Sequence, residues 1–250
     1  RDRLEELVSE RTQELTKAQS ELMRKERLAM LGQITATISH ELRNPLGTLG
    51  NLAALLEKNA NSREPVSPEM VSVLHRNIER CKRIISDLLN FTRVDDLLIE
   101  ELEFDHWLDE LLDEYIPASA VTLLRDIRSD CIVAADAERV RRCLVNLLDN
   151  ACVAAQQFAD DGAVPEGIVK VCCRATESTV VIEVRDNGPG VPKEMREKIF
   201  DPLFSTRPYG VGLGLPHARQ SVAQQRGELE LVDDDGWTCF RVTLPLRLIT

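Results

Sequence analysis

The sequence predicts two domains of different class. The first is an all-α helical hairpin, carrying an N-terminal coiled coil and pairing with a second copy into a four-helix bundle; the second is a two-layer α/β sandwich with a mixed sheet. Three observations lead there. Apolar residues recur at helical spacing as far as Leu88, whereas beyond Phe104 helices alternate with short strands of alternating polarity. The run from Asn59 to Pro68, with Asn61, Ser62, Pro65 and Pro68, divides the helical part in two. A chain of 250 residues with 43% apolar content is long enough to build two cores.

Over residues 1–27 a heptad places Val8, Leu15 and Leu22, continued by Ala29, at one seam position and Leu4, Arg11, Ala18 and Lys25 at the other. A half-polar seam suits a signalling stalk better than a self-sufficient zipper. Residues 28–96 form the hairpin. Leu31, Ile34, Ile38, Leu42, Leu46, Leu49, Leu52 and Leu56 mark the buried stripe of its first helix, and Val71, Leu74, Ile78, Cys81, Ile85 and Leu88 that of its second. One hairpin cannot bury its whole apolar face, so a homodimer is expected. Residues 97–103 read as an acidic linker. In the domain over 104–250, helices are expected over Phe104 to Tyr115 and over Asp136 to Gln157, the latter capped by its aspartate. Val121 to Ile127, Cys131 to Ala134, Ile168 to Ala175, Thr179 to Arg185, Glu228 to Val232 and Thr238 to Pro245 read as strands.

The net charge of −11 argues against a nucleic-acid partner or an anionic membrane surface. No apolar run approaches the roughly 18 residues of a membrane span and no signal-peptide pattern opens the chain, so no direct membrane insertion is expected of this segment. Seven cysteines without paired C-x-x-C spacing read as reduced core residues of a cytoplasmic protein. Arg1 falls inside a helical pattern without an initiator Met, and a natural upstream part is expected.

Chemistry concentrates first at Ser39-His40-Glu41-Leu42-Arg43-Asn44-Pro45-Leu46. At about 100° per residue, His40 lies roughly opposite Ile38 and Leu42 and close to Asn44, so its ring should face solvent. Read alone, a single histidine is more often a structural residue than a reactive one. Here a solvated neutral imidazole keeps one nitrogen lone pair as a nucleophile, Glu41 can hold the proton of the other nitrogen, and Asn44 can orient a water. Pro45 cannot donate to the Glu41 carbonyl, which predicts a bend one turn beyond the histidine.

Four further blocks follow. Asn146 and Asn150 share a helix face, where carboxamide oxygens suit a Mg²⁺ that also keeps waters and phosphate oxygens. Asp186-Asn187-Gly188-Pro189-Gly190 follows a strand; it reads as a tight turn, or as an aspartate accepting a hydrogen bond from an adenine amino group beside glycines that admit the base. Phe200-Asp201-Pro202-Leu203-Phe204-Ser205-Thr206 offers aromatics and hydroxyls to anchor a flap. Gly210-Val211-Gly212-Leu213-Gly214-Leu215 opens a helix whose free N–H groups and dipole favour phosphate. It is neither a Walker A loop nor a dinucleotide fingerprint.

In this order the four blocks resemble the ATP-binding domain shared by histidine kinases, Hsp90 chaperones, type II topoisomerases and MutL-type repair ATPases. The His40 box resembles the phospho-acceptor box of sensor histidine kinases, the family in which such a domain follows a helical hairpin with His-Glu-x-x-Asn-Pro. The resemblance covers residues 28–246. It implies ATP and Mg²⁺ as cofactors, with Asn150 as metal ligand, Asn146 beside the phosphates and Asp186 on adenine. Gly188, Gly190, Phe204, Thr206, Gly210, Gly212, Leu213, Gly214 and Leu215 would line the nucleotide. His40, Glu41, Asn44 and Arg207 would be catalytic, Arg207 standing where many relatives have a lysine near the terminal phosphate. Three departures are visible: Val211 at a commonly hydroxylated place, Pro216-His217 at the usual aliphatic helix start, and Arg226-Gly227 for a Gly-Gly turn. His217 reads as structural.

The function so implied is autophosphorylation of His40 and phosphotransfer to an aspartate of a response-regulator receiver domain. Glu41-x-x-Asn44 adds a phosphatase activity on that regulator, and the upstream part would be a sensor domain. A kinase-inactive dimeric scaffold or phosphatase that keeps the nucleotide fold is the alternative, and an ATP-driven clamp of the chaperone or topoisomerase type is a second.

Overall fold

The computed structural model describes residues 38–59, 65–92, 97–117, 121–205, 212–234 and 236–247, with Arg3, Arg11, Lys25, Gly32 and Thr35. The heptad seam expected over residues 1–27 and most of the Asn59–Pro68 connection lie outside these residues. The chain divides into two compact units, Arg1–Asp95 with Ser205–Leu213 and Asp96–Phe204 with Gly214–Thr250.

In the first unit, helix α1 runs over 38–59 and continues in helical conformation through Pro45. Helix α2, Pro68–Thr92, opens with proline at its first position, where the missing N–H is no loss. Ser67 caps it, its Oγ accepting the Met70 N–H at 3.3 Å. The buried seam consists of Ile38, Pro45 and Leu52, spaced seven apart, with Ile84 of α2. Ile38 and Leu52 take the inner places expected of them, and the expected stripes are corrected at other positions. Leu46 is 56% exposed, Val71 and Ile85 also face outward, and Pro45 and Ile84 take the inner places. Two helices in contact cover only a narrow seam of each other, so the flanking apolar positions stay open in a single chain.

The second unit holds strand β1 (Glu100–Glu103), helix α3 (Phe104–Glu114), β2 (Val121–Arg128), β3 (Ile132–Ala135), helix α4 (Ala137–Asp160), β4 (Gly167–Ala175), β5 (Thr179–Asp186), helix α5 (Gly214–Ala223), β6 (Glu228–Asp234) and β7 (Trp237–Pro245). The main sheet has the order β2-β4-β5-β7-β6, with β2 parallel to β4 and the other pairs antiparallel. This is the mixed sheet expected. Alternation decides its faces: Val169, Val171, Val180, Ile182, Val184, Leu229, Phe240, Val242 and Leu244 point into one core with the apolar sides of α3, α4 and α5. All seven cysteines are free thiols, five of them buried. Burial pushes the Cys143 thiol up to about 12, which keeps it protonated and inert. Among the described residues no helix is long and apolar enough to cross a membrane.

The acidic stretch read as a linker over 97–103 is in part structured. Its β1 pairs antiparallel with β3, and the Leu98 N–H donates to Asp136 Oδ2 at 3.1 Å. Asp136 caps α4 through Oδ1, which accepts the Arg139 N–H at 3.0 Å, and donates its own N–H to the buried Gln225 side chain at 2.7 Å. A run of glutamates passes for solvated linker in sequence, but only Leu102 of this strand needs to face inward for it to pair.

The opposite face of the sheet is laced with charge. Glu183 of β5 accepts from Arg185 at 2.5 Å and from Arg241 at 2.9 Å, and Arg241 also approaches Glu230. Burial alone would raise the Glu183 pKa, but the bonds from the two guanidinium groups overrule it and hold the carboxyl below the usual carboxylate range. A lowered folded-state value means that this stabilisation is present above the unfolded value of about 4.3 and is lost as pH falls through the folded one. Glu183→Gln should therefore be less stable than the parent at pH 7, with the gap closing below about pH 4 in urea titrations.

The turn after α5 carries Arg226 at φ +59°, a left-handed conformation that favours glycine. Gly227 follows under a tighter constraint, because a Cβ there would come 2.4 Å from the Thr243 carbonyl oxygen. Arg226→Gly removes the strain without touching this contact. It is expected to raise stability by roughly 0.5–1 kcal/mol, read as a higher urea midpoint at unchanged m-value.

Candidate functional site

On α1 the His40 ring is exposed and Asn44, one turn on, is exposed beside it. The Ser39 hydroxyl donates to the Thr35 carbonyl at 2.7 Å and Thr48 Oγ1 to the Asn44 carbonyl at 3.2 Å, so both hydroxyls are engaged in the helix backbone. Glu41 differs from expectation. Its carboxylate reaches α2, where Oε2 accepts from Arg80 Nη2 at 2.8 Å in a partly buried ion pair. Sequence gave no sign of this partner, since 39 residues separate the two and periodicity does not fix the facing of two helices.

The second cluster is built on α4, whose apolar side belongs to the core. Asn146 and Asn150 stand on its other side, each half-buried. Asp186 ends β5 and is 2% exposed, its Oδ1 accepting the Gly188 N–H at 3.0 Å. Gly188 is required here, because a Cβ would lie 2.6 Å from Asp186 Oδ1 and 3.0 Å from the Ala154 Cβ on α4. Asn187 clamps the turn to the start of β4, accepting from the Ile168 N–H at 2.8 Å and donating to the Glu166 carbonyl at 2.8 Å. Gly190 takes φ +77°. Gly214, the first residue of α5, lies against the Asn146 carboxamide, a Cβ there coming 3.6 Å from Oδ1. One helix, α4, thus gathers the asparagine face, the aspartate turn and the start of α5.

Phe200 packs edge-to-face on Phe240 with centroids 6.4 Å apart, and the Arg219 guanidinium lies 4.7 Å over its ring. Phe204, like Phe200, packs on the core. Leu203 between them adopts φ +69°. Gly212 takes φ +71°, Leu213 is buried and Leu215 packs on the core. Thr206, Arg207, Gly210 and Val211 lie outside the described residues.

A neighbour of the cluster was not foreseen. The Tyr115 hydroxyl donates to Asp149 Oδ1 at 2.9 Å and lies 3.6 Å from Cys152 Sγ. Burial, then the Asp149 and Asp186 carboxylates, push the Cys152 thiol up against the opposing bond from Tyr115. The donor chemistry of the α4 face fits a Mg²⁺ ion shared between carboxamide oxygen, water and phosphate oxygens. Among the described residues, no three His, Cys, Asp or Glu side chains converge into a protein-only metal cage.

The comparisons with known proteins fall on these two regions. The family described as the His Kinase A (phospho-acceptor) domain matches residues 30–97, and that of the histidine kinase-, DNA gyrase B- and HSP90-like ATPases matches residues 135–248. The sensor protein kinase PilS of Pseudomonas aeruginosa is 29% identical over 222 residues, covering 87% of this chain and 41% of the relative. The sensor histidine kinase ZraS of Escherichia coli is 28% identical over 235 residues, covering 92% of the chain and 49% of the relative. The chain thus spans less than half the length of either relative. Among solved structures, histidine kinase ThkA in complex with the response regulator TrrA superposes with a TM-score of 0.74 at 26% identity, over 94% of this chain and 67% of that one.

Proposed function

The chain belongs to the sensor histidine kinases, of which it carries the phospho-acceptor and ATPase domains, and from that premise we propose that it phosphorylates its own His40 from ATP and passes the phosphoryl group to an aspartate of a response-regulator receiver domain. The observation that carries the reading is the presence in one chain of an exposed imidazole on α1 and of a site on α4 where Asn146, the Asp186 turn and Gly214 converge.

In this reading the buried Asp186 carboxylate accepts from the adenine amino group, and Gly188 and Gly190 let backbone lie against the base. Asn146 and the start of α5, with Gly210, Gly212 and Gly214, face the phosphates. Asn150 ligates Mg²⁺, which neutralises phosphate charge, and Arg207 forks onto the terminal phosphate. Phe204, Thr206, Leu213 and Leu215 seat the flap over the nucleotide. His40 then needs only to be presented in line with the terminal phosphoryl group, so most of the catalysis is positioning. Asn44 orients a water for hydrolysis of the phosphorylated regulator, the class of partner named in the ThkA complex.

We also propose a homodimer in which the open apolar positions Leu46, Leu55, Val71, Ile85 and Leu89 are covered by a second copy. The upstream residues 1–27 serve as the signalling stalk, and the core works in the cytoplasm.

Incubation with γ-labelled Mg-ATP tests the kinase step. His40→Gln should abolish acid-labile label while leaving nucleotide affinity intact, and Asp186→Asn should weaken nucleotide binding by about tenfold or more, read with a fluorescent ATP analogue. Label that persists on His40→Gln sinks the acceptor assignment, and ATP binding without any phosphohistidine favours the scaffold alternative. Asn44→Ala should slow regulator dephosphorylation about tenfold or more while sparing autophosphorylation; equal loss of both counts against a separate hydrolytic role.

A further inference from the structure

Resting on the reading of His40 as phospho-acceptor, we infer that Arg80 is a positioning residue that holds Glu41 away from the imidazole and so restrains phosphorylation of His40. Neighbouring helix residues project about 100° apart, so the side chains of His40 and Glu41 start on different faces. The burial pattern follows this division: the histidine is exposed, whereas Glu41 is half-buried toward α2. There Arg80 takes its carboxylate at 2.8 Å, with the two side chains only 16% and 21% exposed. This is unlike the surface pair Lys82–Glu79, whose residues flank Arg80 along α2 and whose partners are 68% and 60% exposed and bathed in solvent. A partly desolvated guanidinium–carboxylate bond is among the stronger contacts a side chain can make. It therefore competes in earnest with any bond from the ring.

The competition bears on the chemical step. In that step one ring nitrogen forms the N–P bond through its lone pair, while the bond from the γ-phosphorus to the bridging oxygen breaks and ADP leaves with that electron pair. The proton of the other ring nitrogen must pass to a base. Glu41 is the adjacent carboxylate, and as long as Arg80 engages it the base points at the second helix. Release of the pair, by rotation of α1 against α2, frees the carboxylate to turn to the ring. The ion pair thus ties the readiness of the acceptor to the packing of the hairpin on which it sits.

The test is a cycle of Arg80→Gln, Glu41→Gln and the double variant, with Arg80→Lys as the conservative control, in dimeric protein carrying both domains. Initial rates of phosphohistidine formation are followed across ATP concentrations. Arg80→Gln should raise the maximal rate on the order of threefold to tenfold with KM for ATP unchanged. Arg80→Lys should stay within about twofold of the parent, because the cation is kept. The double variant should be no faster than Glu41→Gln. Arg80→Met, which keeps the apolar stem, repeats the measurement if the Gln variant loses its helical circular dichroism. A rate in Arg80→Gln equal to or below the parent, or the same acceleration when Glu41 is already neutralised, overturns the proposal. A parent protein that forms no phosphohistidine overturns the function itself, and a labelled parent separates the two failures.

Discussion

The ATPase unit depends on the division of helix α4 into two faces. Val140, Cys143, Leu144, Leu147, Leu148, Ala151, Cys152 and Ala155 are buried and fix the rotation of the helix on the sheet. That rotation leaves Asn146 and Asn150 no choice of direction. The same helix supplies Ala154, against which the Gly188 turn lies so closely that a methyl group would collide. Core packing at full density tolerates little displacement, so the geometry of the polar rim is inherited from the apolar side. A loose core under α4 would blur the spacing between the asparagines, the aspartate and the start of α5 together.

The sheet solves the complementary problem of an open face. A mixed sheet covered by helices on one side leaves the other to water, and here Arg241 of β7 bridges Glu183 on β5 and Glu230 on β6 through charge-assisted bonds, while Arg185 braces Glu183 along β5 itself. Such a lattice adds modest stability in solvent, yet it holds β5 in register with β7. Register matters at the functional end, because Asp186 is the last residue of β5 and a slip by one would turn its carboxylate to the other face.

Much of this was legible in the sequence, and the reason is local. Strand alternation, the Asp136 cap and the glycines announce themselves within a few residues, and the strands of the sheet fall within about two residues of their expected ends. What the sequence concealed is relational. The burial of Pro45 and Ile84 in place of Leu46 and Ile85 is a matter of how two helices face each other, which a stripe several residues wide leaves undetermined. The Glu41–Arg80 pair and the Tyr115 hydroxyl beside Cys152 bridge separations of 39 and 37 residues. The strand hidden in Glu100–Glu103 escaped because three of its four residues are acidic and exposed, a composition that imitates a linker.

That hidden strand changes how the connection into the ATPase unit works. Had 97–103 been a solvated tether, motion in it would leave α4 untouched. Instead Asp136 spends one carboxylate oxygen on the Leu98 N–H and the other on the Arg139 N–H at the first turn of α4. Its backbone N–H is held by Gln225, which in turn binds the Ser221 carbonyl of α5. One capping residue therefore joins the incoming chain, the start of α4 and the end of α5. Pulling Leu98 away would remove one of the bonds that fix the carboxylate whose other oxygen caps α4, and a cap is worth about 1 kcal/mol to its helix. The incoming segment is accordingly part of the scaffold that holds α4, with its asparagine face, and α5, and its anchoring acts on both at once.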